Sequence, residues 1–395
     1  MLTLIKNEYI KIFRRAKTWI VVGLFVLLVV GMGYIFKLQS DDQKRYQSLD
    51  YKIEDCKSMI NMYEEEISSS DSETDKKVAE NELQYYKDEL KNYEALKAKG
   101  QTKEDWREAY KSQVEANKLA LEEATSEEDK ADIQEEIDNL NYYLDNDIEP
   151  VESWEMNGTN YLLFFMSLLG TLILVCGIAV FMSDIVSGEC TPPTLKFLLV
   201  QPISRGKVLF SKFIAITTTT IGLIGVLEGL AYGVLGLIYG FDANKMRVLT
   251  GVKFKEVIEN GSKSIEQISG TGHYISYGKL LLESFGLQML FIVACCAFIF
   301  LISCLFKSSM ITMAISVVST VAFTMVMSMS SKVASIAHYV FITYGNPVSL
   351  LQGDLCYQYQ NANITTSTSI IVMIITIVLS YTIGHIVFKK KDILI

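Results

Sequence analysis

A carboxylate, Glu228, stands in the middle of the long apolar run Phe213–Tyr239, where an unpaired charge is costly. It must be protonated, paired or turned toward a watery path, so Glu228 is a candidate translocation-path residue. The other reading is a buried carboxyl bonded to Thr217–Thr220 or to another helix. Around it Gly222, Gly225, Gly229, Gly233, Gly236 and Gly240 recur at steps of three and four and therefore share one helix face. Side-chain-free faces let membrane helices approach closely, so the stripe predicts tight helix packing, or a contact that also slides. A second group precedes this run. Asp184 and Glu189 lead into Pro192-Pro193, then Thr194, Leu195, Lys196, Phe197, Leu198, Leu199 and Val200 form a short amphipathic helix that Pro202 stops, with Arg205 and Lys207 following. A short, half-apolar helix held between two membrane spans suits docking into a groove on a partner. The competing reading is a helix lying in the headgroups.

Hydrolytic chemistry has no foothold in the sequence. There is no G-x-x-x-x-G-K-[ST] phosphate loop, no H-E-x-x-H, no C-x-x-C and no G-x-S-x-G. His273, His338 and His385 are far apart, and no metal site is expected. Cys295, Cys296 and Cys304 fall in an apolar run and read as small buried hydrophobes, while a Cys56–Cys356 bridge is not favoured. The chain is therefore not expected to be an enzyme, and active transport would draw on an ion gradient or another subunit.

The elements that must position these residues follow from charge and hydropathy. Residues 37–160 hold 34 Asp+Glu against 16 Lys+Arg, a net of −18, although the whole chain of 395 residues is only −9. The remainder is basic and strongly apolar, a separation no compact soluble globule makes. An acidic balance also excludes a nucleic-acid binder resting on overall basic charge. A helix needs about 20 apolar residues to cross the hydrocarbon. Six runs qualify: 19–36, 161–183, 213–239, 280–305, 310–330 and 369–388. The resulting expectation is an all-α polytopic membrane protein with six transmembrane helices. Its parts are an amphipathic N-terminal helix (1–18), a loop at 184–212 on the same side, loops at 240–279 and 331–368 on the other, and a tail at 389–395. The side with both termini carries 13 basic residues and four acids, which predicts that it is cytoplasmic. Six basic residues in 240–279 run against that assignment.

The acidic segment 37–160 would then be extracellular, and it reads as helical hairpins or coiled coil. Ser72/Asp75, Thr102/Asp105 and Ser126/Asp129 are S/T-x-x-[DE] helix starts. Ile133, Ile137, Leu140 and Leu144 form one apolar stripe and Leu83, Tyr86, Leu90 and Tyr93 another. The stripes are short, so antiparallel helices packing on each other are expected rather than a long rod. Tyrosines on the seams could also hold an external peptide or protein.

The 184–212 loop resembles that of the permease subunits of ABC-2 type bacterial ABC transporters, which typically runs E-x-x-x-G-T-L-K-x-L-L-x-x-P-I-S-R-x-x-x-x-x-K. Here Thr194-Leu-Lys-Phe-Leu-Leu-Val-Gln-Pro-Ile-Ser-Arg205 is followed by Lys212, and Pro192-Pro193 departs from the pattern before Thr194. The opening Leu4–Arg15 is similar to the family's amphipathic N-terminal helix, and Tyr344-Gly-Asn-Pro347 to its last external loop. The likeness covers all six spans and leaves out the acidic insert. It implies a permease working with two copies of a cytoplasmic ABC ATPase subunit and with a second permease copy or a related permease. ATP and Mg would bind the partner subunit, with no cofactor on this chain. Asp184–Lys207 would contact the ATPase, with Thr194–Val200 as coupling helix.

The reading is thus a permease subunit of an ATP-driven exporter in the cell membrane of a Gram-positive bacterium. The acidic insert points to an amphipathic drug or cationic antimicrobial peptide as cargo, since acidic surfaces concentrate cations. The alternative is a mechanotransmitting scaffold or sensor whose external helices engage an outside partner without moving solute. An ion-coupled transporter centred on Glu228 would show inverted repeats, and none is evident.

Overall fold

The computed structural model describes residues 1–70, 72–100, 105–190, 203–259, 262–329 and 331–390. The chain falls into two units, Met1–Gly33 with Asn157–Ile395, and Tyr34–Met156.

In the first unit, α1 (Leu2–Arg14) buries Glu8 and Ile12 and places Lys11 and Arg14 in its last turn, where cations suit the helix dipole. Among the described residues, six further helices are long and apolar enough to cross a membrane. They are α2 (Ala16–Gln47), α7 (Gly158–Met182), α8 (Arg205–Tyr239), α9 (Tyr277–Leu305), α10 (Ser309–Met329) and α11 (Thr366–Lys390), α3–α6 belonging to the second unit. Their ends carry the usual signals. Asn157 caps α7, Ser276 caps α9, and Gly240 at φ 95° ends α8 in a backbone conformation that glycine adopts without strain. In the most apolar stretch of α9, 61% of residues are buried, against 6% for α2. Thus α9 is the central helix and most of its neighbours turn an apolar face outward, as lipid-facing helices do.

Two of the expected loops are structured. Within 240–279, β1 (Arg247–Thr250) pairs antiparallel with β4 (His273–Ser276), and β2 (Phe254–Glu259) with β3 (Ser262–Gln267), so the segment rises and returns as one hairpin. The 331–360 stretch, expected as part of an external loop, folds into short helical turns with Phe341–Tyr344 fully packed. It lies against the middle of α7, and α7 is interrupted there. Gly170, at φ 38° and ψ −152°, breaks the helical path. Thr171 Oγ1 donates to the Ile342 carbonyl at 3.0 Å, and Asn346 Nδ2 to Ser167 Oγ at 3.0 Å. A Cβ on Gly345 would stand 2.6 Å from Thr171 Cα, so only glycine permits this approach.

The second unit holds the part of α2 beyond Gly33, with α3 (Leu49–Ser69), α4 (Glu73–Ala98), α5 (Trp106–Glu123) and α6 (Glu127–Asp145). Lys97 pairs with Asp50, Lys57 with Glu94 at 3.2 Å and Lys87 with Glu64 at 3.0 Å. Each step up α3 is matched by a step down α4, which makes the two an antiparallel hairpin. The second hairpin closes on Val114, Ile137 and Leu140, with Tyr110, Ile133 and Leu144 against them. Ser72 and Ser126 accept from the amides of Asp75 and Asp129, as their spacing predicts. Thr102 lies outside the described residues, and α5 is capped instead by Asp105, which accepts from the Arg107 amide. At the ends of the unit Ser40 Oγ accepts from the Met156 amide at 2.9 Å. Cys56 and Cys356 are both buried free thiols.

Candidate functional site

At the foot of the helices of the first unit lies a cluster of charges around Lys212. The side chain of Lys212 is fully buried in the first turns of α8, an unusual place for an ammonium without partners. Its Nζ donates to Glu189 Oε1 at 2.6 Å and to Glu8 Oε2 at 3.1 Å. Lys11 Nζ, half exposed, donates to the other oxygen of Glu8 at 3.4 Å and to Glu189 Oε1 at 3.3 Å. Two carboxylates and two ammoniums thus balance in charge, which is the condition for keeping such groups out of water. Beside them Asp184 accepts from Arg15 Nη1 at 3.1 Å and Lys17 Nζ at 3.0 Å. Together the two groups bind α1, the turn Ser187–Cys190 after α7, and the base of α8.

The same turn is fastened from its other side. Ser303 Oγ of α9 accepts from the amides of Val186 and Ser187 at 3.3 and 3.1 Å and donates to the Ser183 carbonyl at 3.1 Å. Ser187 Oγ donates to that same carbonyl at 2.7 Å, and its neighbours include Ser309 and Thr312 of α10. A Cβ on Gly188 would lie 2.9 Å from Asp184 Cβ. The consequence is mechanical. Glu189 precedes the 191–202 segment and Lys212 follows it, so their bond clamps both roots of that segment together, and the clamp reaches α1, α7, α8, α9 and α10.

The structure distributes the sequence candidates unevenly. Asp184 and Glu189 enter the ion network, and Arg205 opens α8, its Nη1 donating to the Lys389 carbonyl of α11 at 3.5 Å. Thr194, Leu195, Lys196, Phe197, Leu198, Leu199 and Pro202 lie outside the described residues. Along the glycine stripe only part is a seam within one chain. Gly225 would meet Phe285 at 3.2 Å and Gly236 the ring of Phe241, while nothing stands within 4 Å of a Cβ at Gly222, Gly229 or Gly233. Gly240 ends the helix. Glu228 is fully buried and takes its hydrogen bond from Gln288 Nε2 of α9 at 2.9 Å. The hydroxyls of Thr219 and Thr220 are bonded back to the Ala215 and Ile216 carbonyls.

Sequence reasoning passed over Glu8 and Lys11 as members of a site. The available signal was one acid in a basic helix and a lone lysine at the start of an apolar run. Gln288 carried a weaker one, as an amide inside a membrane span. Between α2, α7, α8 and α10 lies an apolar cavity of about 560 Å³ whose lining includes Phe25, Leu169, Cys176, Thr220, Leu227 and Val321.

The described residues hold six helices apolar and long enough to cross a membrane, which marks a multi-pass membrane protein. The family comparison is specific: the model described as ABC-2 family transporter protein matches residues 2–393, and the chain belongs to that family. This gives it a permease role in a family whose members normally work with an ABC ATPase subunit, and it bears out the family resemblance read in the sequence. The chain is also similar to the uncharacterized protein YhcI of Bacillus subtilis (strain 168), 22% identical over 400 residues, with 100% of this chain and 99% of that protein covered. No solved structure matches the chain.

Proposed function

We propose that this chain is the membrane half of an ATP-driven exporter, pairing with a second permease and taking its power stroke from two ABC ATPase subunits. The ATPases dock on the 184–212 loop from the cytoplasm; ATP and Mg stay on them, and this chain performs no catalysis. One observation carries the reading: the buried Glu189–Lys212 bond at 2.6 Å, which joins the two roots of the loop bearing the L-K-x-L-L-x-x-P-I-S-R motif. A push on that loop cannot be absorbed by its ends separating. It is passed to α7 and α8 directly and to α9 and α10 through Ser303, Ser309 and Thr312. The cargo class is an amphipathic drug or antimicrobial peptide drawn from the membrane. The apolar cavity between α2, α7, α8 and α10 supports the greasy part of that description, and the −18 insert, placed outside the cell, supports a cationic one.

The test is affinity purification of the tagged chain in mild detergent, with wild type compared to the triple variant Leu195→Asp, Phe197→Asp, Leu198→Asp. The expected result is an ATP-binding subunit in stoichiometric yield with the wild type and lost with the triple variant, both chains inserting equally. Equal yields would refute the docking assignment.

A further inference from the structure

The arrangement around Glu228 has a feature that helix packing leaves unexplained. Gln288 Nε2 donates to Glu228 Oε1 at 2.9 Å. The second carboxyl oxygen, Glu228 Oε2, and the second amide atom, Gln288 Oε1, are both buried and both without a partner. Each is an acceptor if the carboxyl is ionised. Two unmatched acceptors and a bare negative charge would then sit inside the helix bundle, where every uncompensated polar group is penalised. No ion pair relieves that charge: no described Lys, Arg or His lies within salt-bridge distance of Glu228. On the helices packed against α8, the charged side chains are exposed, as Lys6 and Arg14 of α1 and Lys389 and Lys390 of α11 are, or bonded elsewhere. Glu8 and Lys11 belong to the network around Lys212, and Lys279 and Glu283 of α9 face each other at 3.7 Å. The α10 helix carries no ionisable side chain, and His385 of α11 stands against Gly206, at the opposite end of α8 from Gly240. The Tyr161 phenol of α7 donates its hydroxyl to the Val29 carbonyl at 2.6 Å.

One proton resolves both orphans. A hydrogen on Glu228 Oε2 turns an acceptor into the donor that Gln288 Oε1 lacks. The two groups then close the paired bonds of a carboxylic acid facing a primary amide, N–H to carbonyl in one direction and O–H to carbonyl in the other. We propose that Glu228 and Gln288 form a proton-binding site in the membrane interior, occupied in this state and joining α8 to α9 through that two-bond ring. Ser284, one turn before Gln288 on α9, adds a buried hydroxyl that also lacks a partner. The site lies on the two helices that the clamp around Lys212 and Ser303 connects. Proton release would leave a carboxylate facing the amide oxygen and so favour separation of α8 from α9, which makes the packing of these helices proton-linked. This inference concerns the state of one carboxyl and holds whatever the cargo is.

Infrared difference spectra of the full chain in lipid nanodiscs, recorded in H₂O and D₂O at pH 7, test it. The expected result is a protonated-carboxyl carbonyl band that shifts on deuteration, is absent from Glu228→Gln and moves to higher frequency in Gln288→Leu. Glu228→Gln should also keep the wild-type Tm, because an amide reproduces the neutral acid. The assignment is overturned if wild type shows no such band at pH 7, or if the band survives in Glu228→Gln. It is equally overturned if the wild-type Tm rises with NaCl over choline chloride while that of Glu228→Gln does not, since the oxygens would then hold sodium instead of a proton. Should Glu228→Gln fail to insert, the wild-type band and its displacement in Gln288→Leu decide the matter, an unmoved band refuting the ring.

Discussion

Lys212 has no water to fall back on. Its two carboxylates were brought together by helices far apart in sequence, and removing the cation leaves both facing only the half-exposed Lys11. Breaking a buried pair from one side costs about 3–5 kcal/mol, because an uncompensated charge remains in place. Lys212→Met is therefore expected to lower the unfolding free energy of the detergent-solubilised chain by that amount, read as a lower unfolding midpoint. The combination Glu8→Gln, Glu189→Gln, Lys212→Met should recover most of the loss. Equal midpoints for wild type and the single variant would remove the network from the account of stability. In the acidic insert, Cys56 shows the reverse problem of a group kept from ionising. Burial first, then the neighbouring Glu89 and Asp55 carboxylates, raise its thiol above the usual range, Lys52 opposing them. A raised value means less thiolate at any pH below it, and thiolate is the reactive form. Alkylation of Cys56 by iodoacetamide at pH 8 should run slower than that of a free cysteine, with its pH midpoint displaced upward. A rate equal to that of free cysteine would contradict this.

At the level of elements, the interrupted helix α7 and the corner that meets it form one device. Gly170 takes a positive φ with open space around the place a Cβ would occupy, so alanine there is opposed by backbone conformation alone, by about 1–3 kcal/mol. Gly345 has an ordinary φ but no room, since an added Cβ would press on backbone at Thr171 that cannot move aside cheaply. Gly345→Ala is accordingly expected to destabilise more than Gly170→Ala, in thermal unfolding of the purified chain. The reverse order would mean that the contact between the 341–346 corner and α7 is soft. The glycine stripe of α8 illustrates the limit of periodicity. Spacing put its residues on one face, but Gly225 meets another helix only because Phe285 of α9 packs there, while Gly236 is covered by Phe241 just past the helix end.

For the whole molecule, charge and hydropathy divide the chain where the fold divides it. The acidic 37–160 stretch corresponds to the unit Tyr34–Met156, built as two hairpins whose seams are the stripes legible in the sequence. Its tyrosines stack across the seam, as Tyr63 with Tyr86 at 5.7 Å between ring centres. In the proposed exporter this unit gathers cationic cargo outside the cell. Deleting Asp41–Glu149 should then reduce resistance to cationic antimicrobial peptides while leaving membrane insertion and ATPase attachment intact. Unchanged resistance would remove the insert from cargo handling.

Short-range physics governs the features readable from the order of residues alone. Six apolar runs become helices because a chain in hydrocarbon must satisfy its own backbone. The acidic stretch becomes hairpins because its apolar residues recur at helical spacing, and Ser72 and Ser126 cap helices because a hydroxyl three residues before an amide can reach it. The family was legible too, in a loop motif that survives as a string of residues. Contacts between residues that no local rule relates arise only when the helices pack. Glu8 meets Lys212 across 204 positions, Thr171 meets Ile342 across 171, and Glu228 meets Gln288 across 60. The buried charge at 228 announced in the sequence that it needed a partner, and Gln288, one polar residue among many, became that partner only when α8 and α9 packed side by side.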